Sequence, residues 1–165
     1  MRSTGRNLVS LDTGEVERLQ QLLGAYLADT RAKYVLLADR AGQLLAHAGE
    51  AGSIDRLSFA SLVAADFAAN DQLAHLLGED ECASLYHSGD NRGMFLVDVA
   101  GQVILAALFD GRTTLGLLRL KSRGVVPELA TLFARVAARP QQAGSGLESG
   151  WLAEAESEID RLFRT

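Results

Sequence analysis

The segment from Leu57 to Leu77 restricts the fold more than any other, because it is apolar almost all the way round and contains no lysine or arginine. On a helix, at about 100° per residue, its larger apolar side chains gather on one side, which predicts a face packed against a sheet of the same chain. That side comprises Phe59, Leu62, Val63, Phe67, Leu73 and Leu77, and the opposite side comprises Leu57, Ser61, Ala64, Ala65, Ala68, Gln72 and His75.

The side with small residues is not typical of a solvent-exposed helix face, since surface helices normally carry charges opposite their apolar stripe. We therefore predict that both sides are buried, the second one against another protein. A helix enclosed within a single domain is the alternative, whereas a membrane span is disfavoured by the polar residues of the segment. One of these, Asp66, falls near the larger apolar side, so we expect it to bond backbone groups of a neighbouring loop.

Periodicity elsewhere predicts an α/β sandwich of the α+β type, with the order α-β-β-α-β-β-β-α and a five-stranded, mostly antiparallel sheet. The first helix begins at Asp12, with Glu15 completing a capping box, and the last helix stops at Arg139-Pro140. That last helix can break or kink at Gly124 or Pro127, and a sixth strand over residues 115–120 is the alternative to its first turns. Strands are predicted at residues 33–39, 43–48, 84–88, 94–99 and 102–109.

Three segments follow from this pattern: a domain over residues 12–139, a linker over residues 140–150, and a C-terminal amphipathic helix over residues 151–165. The terminal segment contains the only tryptophan of the chain. Its apolar residues are spaced for one helix face, which suits docking either onto its own domain or onto a partner. These residues are Trp151, Leu152, Ile159, Leu162 and Phe163.

The composition argues against several classes of function. A net charge of −5 over 165 residues, with no basic run, disfavours nucleic-acid binding. No segment is typical of a signal peptide or a membrane helix, so we expect a cytoplasmic protein. The single cysteine, Cys82, excludes an internal disulfide and a paired-cysteine metal site.

No reaction centre is evident in the sequence. It contains no phosphate-binding loop, zinc motif or nucleophile elbow, so we predict no catalytic residue, no cofactor and no metal. The three histidines, His47, His75 and His87, share no motif. Arg112 precedes the third helix and could in principle be donated to a GTPase as an arginine finger, but helix capping or a salt bridge is the favoured interpretation.

Four features together resemble the Roadblock/dynein light chain family. They are the element order, the hairpin VLLADRAGQLLAHAG, the central helix SLVAADFAANDQLAHLLGE and the segment LFDGRTTLGLLRLK. The resemblance runs from about residue 33 to residue 136, and the ending EIDRLF is similar to the tail of bacterial members of the family.

This resemblance implies a homodimer in which two sheets join edge to edge, with a small Ras-like GTPase of the MglA type as its partner in motility or polarity. It implies activation of GTP hydrolysis without an arginine finger, by placing the catalytic residues of the GTPase itself. The surface implied for the GTPase is the small-residue side, at Ser61, Ala64, Ala65, Ala68 and Gln72, and the tail is implied to reach a second surface and modulate nucleotide exchange. A scaffold that leaves turnover unchanged and a small-ligand sensor are the alternatives.

Overall fold

The computed structural model describes residues 10–140 of the chain. Three helices and five strands follow one another in the predicted order, so the predicted fold class is confirmed. The five strands form one sheet in which every neighbouring pair is antiparallel. The elements are α1 (Thr13–Thr30), β1 (Tyr34–Asp39), β2 (Leu44–Gly49), α2 (Arg56–Leu76), β3 (Ser84–Ser88), β4 (Arg92–Val99), β5 (Val103–Asp110) and α3 (Leu115–Ala138).

Local side-chain bonds define where several of these elements begin. The Asp12 carboxylate accepts the Glu15 backbone N–H at 2.8 Å, and the Glu15 carboxylate accepts the Asp12 N–H at 2.9 Å, which confirms the predicted capping box. Between β1 and β2, the Asp39 carboxylate accepts backbone N–H groups of the turn, and Gly42 adopts a φ of +88° that few other residues tolerate.

The sheet, of strand order β2-β1-β5-β4-β3, separates two apolar layers. Side chains alternate along each strand, so Val35 and Leu37 of β1 face α1 and α3, while Leu36 and Ala38 face α2. The domain therefore has three layers, with α1 and α3 on one face of the sheet and α2 alone on the other.

The face that α2 buries matches the predicted one in part, since Val63 and Phe67 lie in the core as predicted. The residues in contact with the sheet are Ala60, Val63, Ala64 and Phe67, at most 5% exposed. Beside this face, at Ser61, the helix approaches the β1–β2 turn closely: a Cβ on Gly42 would lie only 2.9 Å from the Cα of Ser61. The prediction that Leu62, Leu73 and Leu77 lie in the core is wrong, since they are 67%, 56% and 83% exposed.

The third helix is continuous from Leu115 to Ala138, so the alternative of a sixth strand at its start is wrong. Pro127 lies inside the helix without ending it. Proline removes one backbone donor, and the carbonyl deprived of it, on Arg123, belongs to an exposed residue where water can replace the bond. The helix stops at Arg139-Pro140, as predicted.

The predicted linker and terminal helix lie outside the described residues, beyond Pro140. The two core clusters that the described residues form extend from Leu11 to Val136 and include residues of every helix and strand. We therefore expect a variant lacking residues 141–165 to melt in a single cooperative transition, measured by circular dichroism, with the full-length chain as its control. A broad, non-cooperative transition would show that the tail is part of the core.

Candidate partner-binding surface

Helix α2 and its C-cap expose an unusual amount of apolar surface. Five leucines there are more than half exposed, and between Leu57 and Leu77 no lysine or arginine interrupts them. Contiguous exposed apolar surface of this kind is typical of protein interaction sites. The five are Leu57, Leu62, Leu73, Leu76 and Leu77, at 67%, 67%, 56%, 83% and 83% exposed.

Two contacts fix the directions in which the exposed side of α2 points. Asp66 contacts His87 of β3 at 2.7 Å, so this side of the helix faces the β3 edge of the sheet. Ser61 donates to the Gly42 carbonyl at 3.4 Å, so the side of Ser61 faces the β1–β2 turn. The exposed surface of α2 therefore has two flanks, one on the side of β3 and one on the side of the β1–β2 turn.

Residue spacing assigns the remaining exposed side chains to these flanks, at about 100° per residue. The leucine flank, on the β3 side, consists of Leu62, Ala69, Leu73 and Leu77, and Leu76 lies on the crest between the flanks. The small-residue flank, on the side of the β1–β2 turn, consists of Ser61, Ala65, Ala68 and Gln72. All four residues of the small-residue flank are exposed and belong to the predicted site.

One predicted site residue does not belong to this surface. Ala64 is only 5% exposed and packs against the sheet, because it lies one helical turn from Ala60 and Phe67 on the buried side. The five site residues predicted in the tail, from Trp151 to Phe163, lie outside the described residues.

A network around Arg40 fixes the C-terminal half of α2. Arg40, in the β1–β2 turn, donates to Asp71 of α2 at 2.7 Å and also binds Asp98 of β4. Its guanidinium lies 4.7 Å from the centroid of the Phe67 ring, and Asp71 accepts the Cys82 backbone N–H at 2.9 Å. Burial raises the pKa of the Cys82 thiol, which keeps it protonated at neutral pH. The bonds of Arg40 to Asp71 and Asp98, with its contact to the Phe67 ring, hold α2 in place beneath its exposed surface.

The hydrogen-bond partners predicted for Asp66 are wrong. Its carboxylate bonds two side chains, His87 Nε2 at 2.7 Å and the Asn70 amide at 3.1 Å, rather than backbone groups of a loop. Its side chain is 30% exposed, because the helix is rotated relative to the predicted register. The sequence gives no signal for this pair, since its members are 21 residues apart on different elements.

Strand β3 forms one edge of the sheet and pairs only with β4 among residues 10–140. Its last three residues, Tyr86, His87 and Ser88, are exposed, whereas β2, at the other edge, is mostly half-buried. An exposed edge strand presents unpaired backbone N–H and C=O groups to a further strand. The β3 edge therefore lies next to the leucine flank, and the two together form one surface that can bind a partner.

The histidines and acidic side chains of the described residues are dispersed over several elements. The three histidines lie on β2, α2 and β3, and no three His, Cys, Asp or Glu side chains between residues 10 and 140 are grouped to hold a metal ion. His47 lies between Tyr34 and Arg56, where burial and then the Arg56 charge lower the pKa of its imidazole. No helix in this part of the chain is both long and apolar enough to cross a membrane.

Arg112 forms the salt bridge that the sequence favoured. Its Nε donates to Asp110 at 3.0 Å, and its backbone N–H donates to the same carboxylate at 3.1 Å. These bonds, with the Lys33 ammonium at 3.3 Å, lower the pKa of Asp110 to about 2. Arg112 lies between β5 and α3, away from the exposed surface of α2.

The fold and this surface define a three-layer domain built around one exposed apolar helix, and the chain belongs to the Roadblock/LC7 domain family, whose model matches residues 18–109. Among solved structures, the chain is similar to Myxococcus xanthus MglB, with 36% identity and a TM-score of 0.69 over 72% of this chain and 96% of that one.

Two further structures are similar over comparable lengths. One, described as MglB with tetrameric arrangement, has 32% identity and a TM-score of 0.73, and covers 79% of this chain and 97% of that chain. The other, the gliding protein MglB from Thermus thermophilus, has 30% identity and a TM-score of 0.71, with 78% and 97% covered. No curated protein matches the sequence.

Proposed function

We propose that this chain is a homodimeric regulator of a small Ras-like GTPase of the MglA type, and that it raises the rate of GTP hydrolysis without chemistry of its own. The observation that carries the proposal is the exposed, cation-free apolar surface of α2. The similarity of the chain to MglB structures, at 30–36% identity, supports a role in the same class of regulator.

In the proposed homodimer, the β3 edges of two protomers lie side by side and the leucine flanks of their α2 helices face each other. Both features point toward the same edge of the sheet, since Asp66 of the helix contacts His87 of the edge strand. A twofold axis next to β3 would bury both at once, with the same residues contributed by each protomer.

The small-residue flank is the proposed contact for the GTPase. Alanine side chains let two backbones approach closely, and Ser61 and Gln72 supply polar groups that can fix the orientation of a bound partner. Activation then requires only that this rigid surface binds the hydrolysis-competent conformation of the GTPase more tightly than the others. The tail, residues 151–165, is proposed to reach a second surface of the GTPase and modulate nucleotide exchange.

Single-turnover hydrolysis of GTP by an MglA-type GTPase, with and without this chain, tests the proposal. Acceleration that saturates with the concentration of the chain is the expected result. Saturable binding with an unchanged rate would support the scaffold alternative and exclude activation. The small-ligand sensor would need an enclosed cavity, whereas a groove of about 410 Å³ among the described residues lies between the start of α1 and the end of α3, away from α2.

We expect Arg112→Ala to change the saturating hydrolysis rate less than about tenfold, because this residue is bonded to Asp110 and lies away from α2, whereas loss of an arginine finger costs about 10³-fold or more. Single-turnover rates at saturating protein give the comparison. Arg92→Ala, another exposed arginine near the same end of β5, is the control. A thousandfold loss specific to Arg112→Ala would overturn activation without a donated residue.

A further inference from the structure

The outer surface of α3 around Leu120 is apolar and cationic. Leu120 is 60% exposed, and it is flanked by the exposed Arg119 and Arg123, with Pro127 one turn beyond. Residues three, four and seven apart lie on one side of a helix, so these side chains form one continuous stripe. We infer that this stripe, the α3 outer surface, is the docking site for the acidic C-terminal segment of the same chain, residues 151–165.

The charges of the α3 outer surface have no partner among residues 10–140. Elsewhere on α3, Lys121 lies 3.3 Å from Asp29, and the one acid of the helix, Glu128, lies 2.5 Å from Arg18. Arg119 and Arg123 have no carboxylate within 4.0 Å in the described part of the chain, and the same holds for Arg135 in the last turn. An anionic, partly apolar segment would complement both the charge and the exposed leucine.

The C-terminal segment has the complementary composition. Residues 141–165 contain five acids against two arginines, so the segment is anionic as well as partly apolar. The apolar residues from Trp151 to Phe163 are spaced for one helix side, and Glu154 and Glu158 are one turn apart beside it. Such a pair matches the spacing of Arg119 and Arg123, which are also four residues apart.

The length of the connection permits docking on the same chain. Ten residues, 141–150, extend over at most about 33–36 Å. The eighteen residues from Ala138 back to Leu120 correspond to about 27 Å along the helix axis. The segment can therefore reach its own α3, at an effective concentration in the millimolar range. Because α3 and α2 lie on opposite faces of the sheet, this contact leaves the exposed surface of α2 free. It competes only with the proposed contact of the tail with the GTPase, since the segment cannot occupy both sites at once.

Trp151 reports on this contact directly, because it is the only tryptophan of the full-length chain. We expect its fluorescence to be protected from acrylamide in low salt, and the double variant Arg119→Glu/Arg123→Glu to raise the quenching constant about twofold, since a released indole is open to water on all sides. Salt at 1 M should release the wild-type segment, because the Debye length falls to about 3 Å. Arg123→Glu alone and Arg56→Glu on α2 change the net charge equally, so Arg56→Glu is the matched control for the effect of charge.

A charge swap makes the test specific. Glu154→Arg/Glu158→Arg should release Trp151, and its combination with Arg119→Glu/Arg123→Glu should restore protection, provided that circular dichroism shows each variant folded. Three results would overturn the inference: an indole already fully quenchable in the wild type, protection that survives reversal of both arginines, or protection that is lost on dilution and so arises between chains. Binding of the wild type to phosphatidylglycerol vesicles through Arg119 and Arg123, with Trp151 quenching unaffected by either reversal, would assign the surface to a membrane instead.

Discussion

Ala68→Arg is expected to lower the affinity for the GTPase at least about 100-fold, which corresponds to about 2.7 kcal/mol. Ala68 lies in the middle of the small-residue flank, where the proposed contact depends on close approach of two backbones. A long cationic side chain at this position holds the surfaces apart, or its charge is buried without a partner. The fold should be unaffected, because Ala68 is exposed and arginine is a good helix former.

Titration of the GTP-bound GTPase by calorimetry measures this effect, with circular dichroism to verify folding. Ala25→Arg is the matched control, since Ala25 is also an exposed alanine in the middle of a helix but lies on α1, across the sheet. The affinity of the Ala25→Arg variant for the GTPase should equal that of the wild type. If Ala68→Arg binds normally, the GTPase does not use the small-residue flank.

The strands and the helix ends were predictable from sequence because their signals are local. Strand β1 is buried on both faces and is a continuous apolar run, and the first helix begins at a capping box whose two members are three residues apart. Each signal lies within a few neighbouring residues, and tertiary packing agrees with it.

The buried face of α2 was not predictable in the same way. A helix without a charged face opposite its apolar one has no dominant period, so side-chain size was the remaining guide, and it placed Leu62 and Leu73 inside. The structure keeps Val63 and Phe67 in the core but places Ala60 and Ala64 there instead of Leu62 and Leu73. The absence of cations predicted a second side that another protein buries. In the described protomer that side is exposed, and its leucines had been assigned to the core.

Contacts between distant segments were also beyond the sequence. The pair Asp66 and His87 depends on where β3 lies relative to α2, and the Arg40 network joins residues of the β1–β2 turn, α2 and β4. These contacts matter for the site, since they orient the two flanks and hold the helix in place. Only the three-dimensional arrangement shows which flank of α2 lies on the same side as the β3 edge.

Leu73→Asp is expected to weaken the proposed homodimer about a thousandfold. Leu73 lies on the leucine flank and is 56% exposed in the single protomer. Full burial of a leucine side chain contributes about 1.5–3 kcal/mol, and a twofold interface loses this contribution twice for each substitution. Aspartate adds the cost of desolvating two carboxylates that face each other across the axis. The measured dissociation constant should therefore rise by about three orders of magnitude.

Sedimentation velocity over a range of concentrations distinguishes dimer from monomer in this variant. Val16→Asp is the control, because Val16 is 44% exposed on α1, on the other side of the sheet, so that the same chemical change there should leave the dimer intact. A Leu73→Asp protein that sediments as a dimer would place the self-association surface elsewhere. If Val16→Asp dissociates instead, the protomers meet through the α1 and α3 layer. A monomeric, folded Leu73→Asp protein would also reveal whether one protomer suffices to bind the GTPase, since the small-residue flank is unchanged in it.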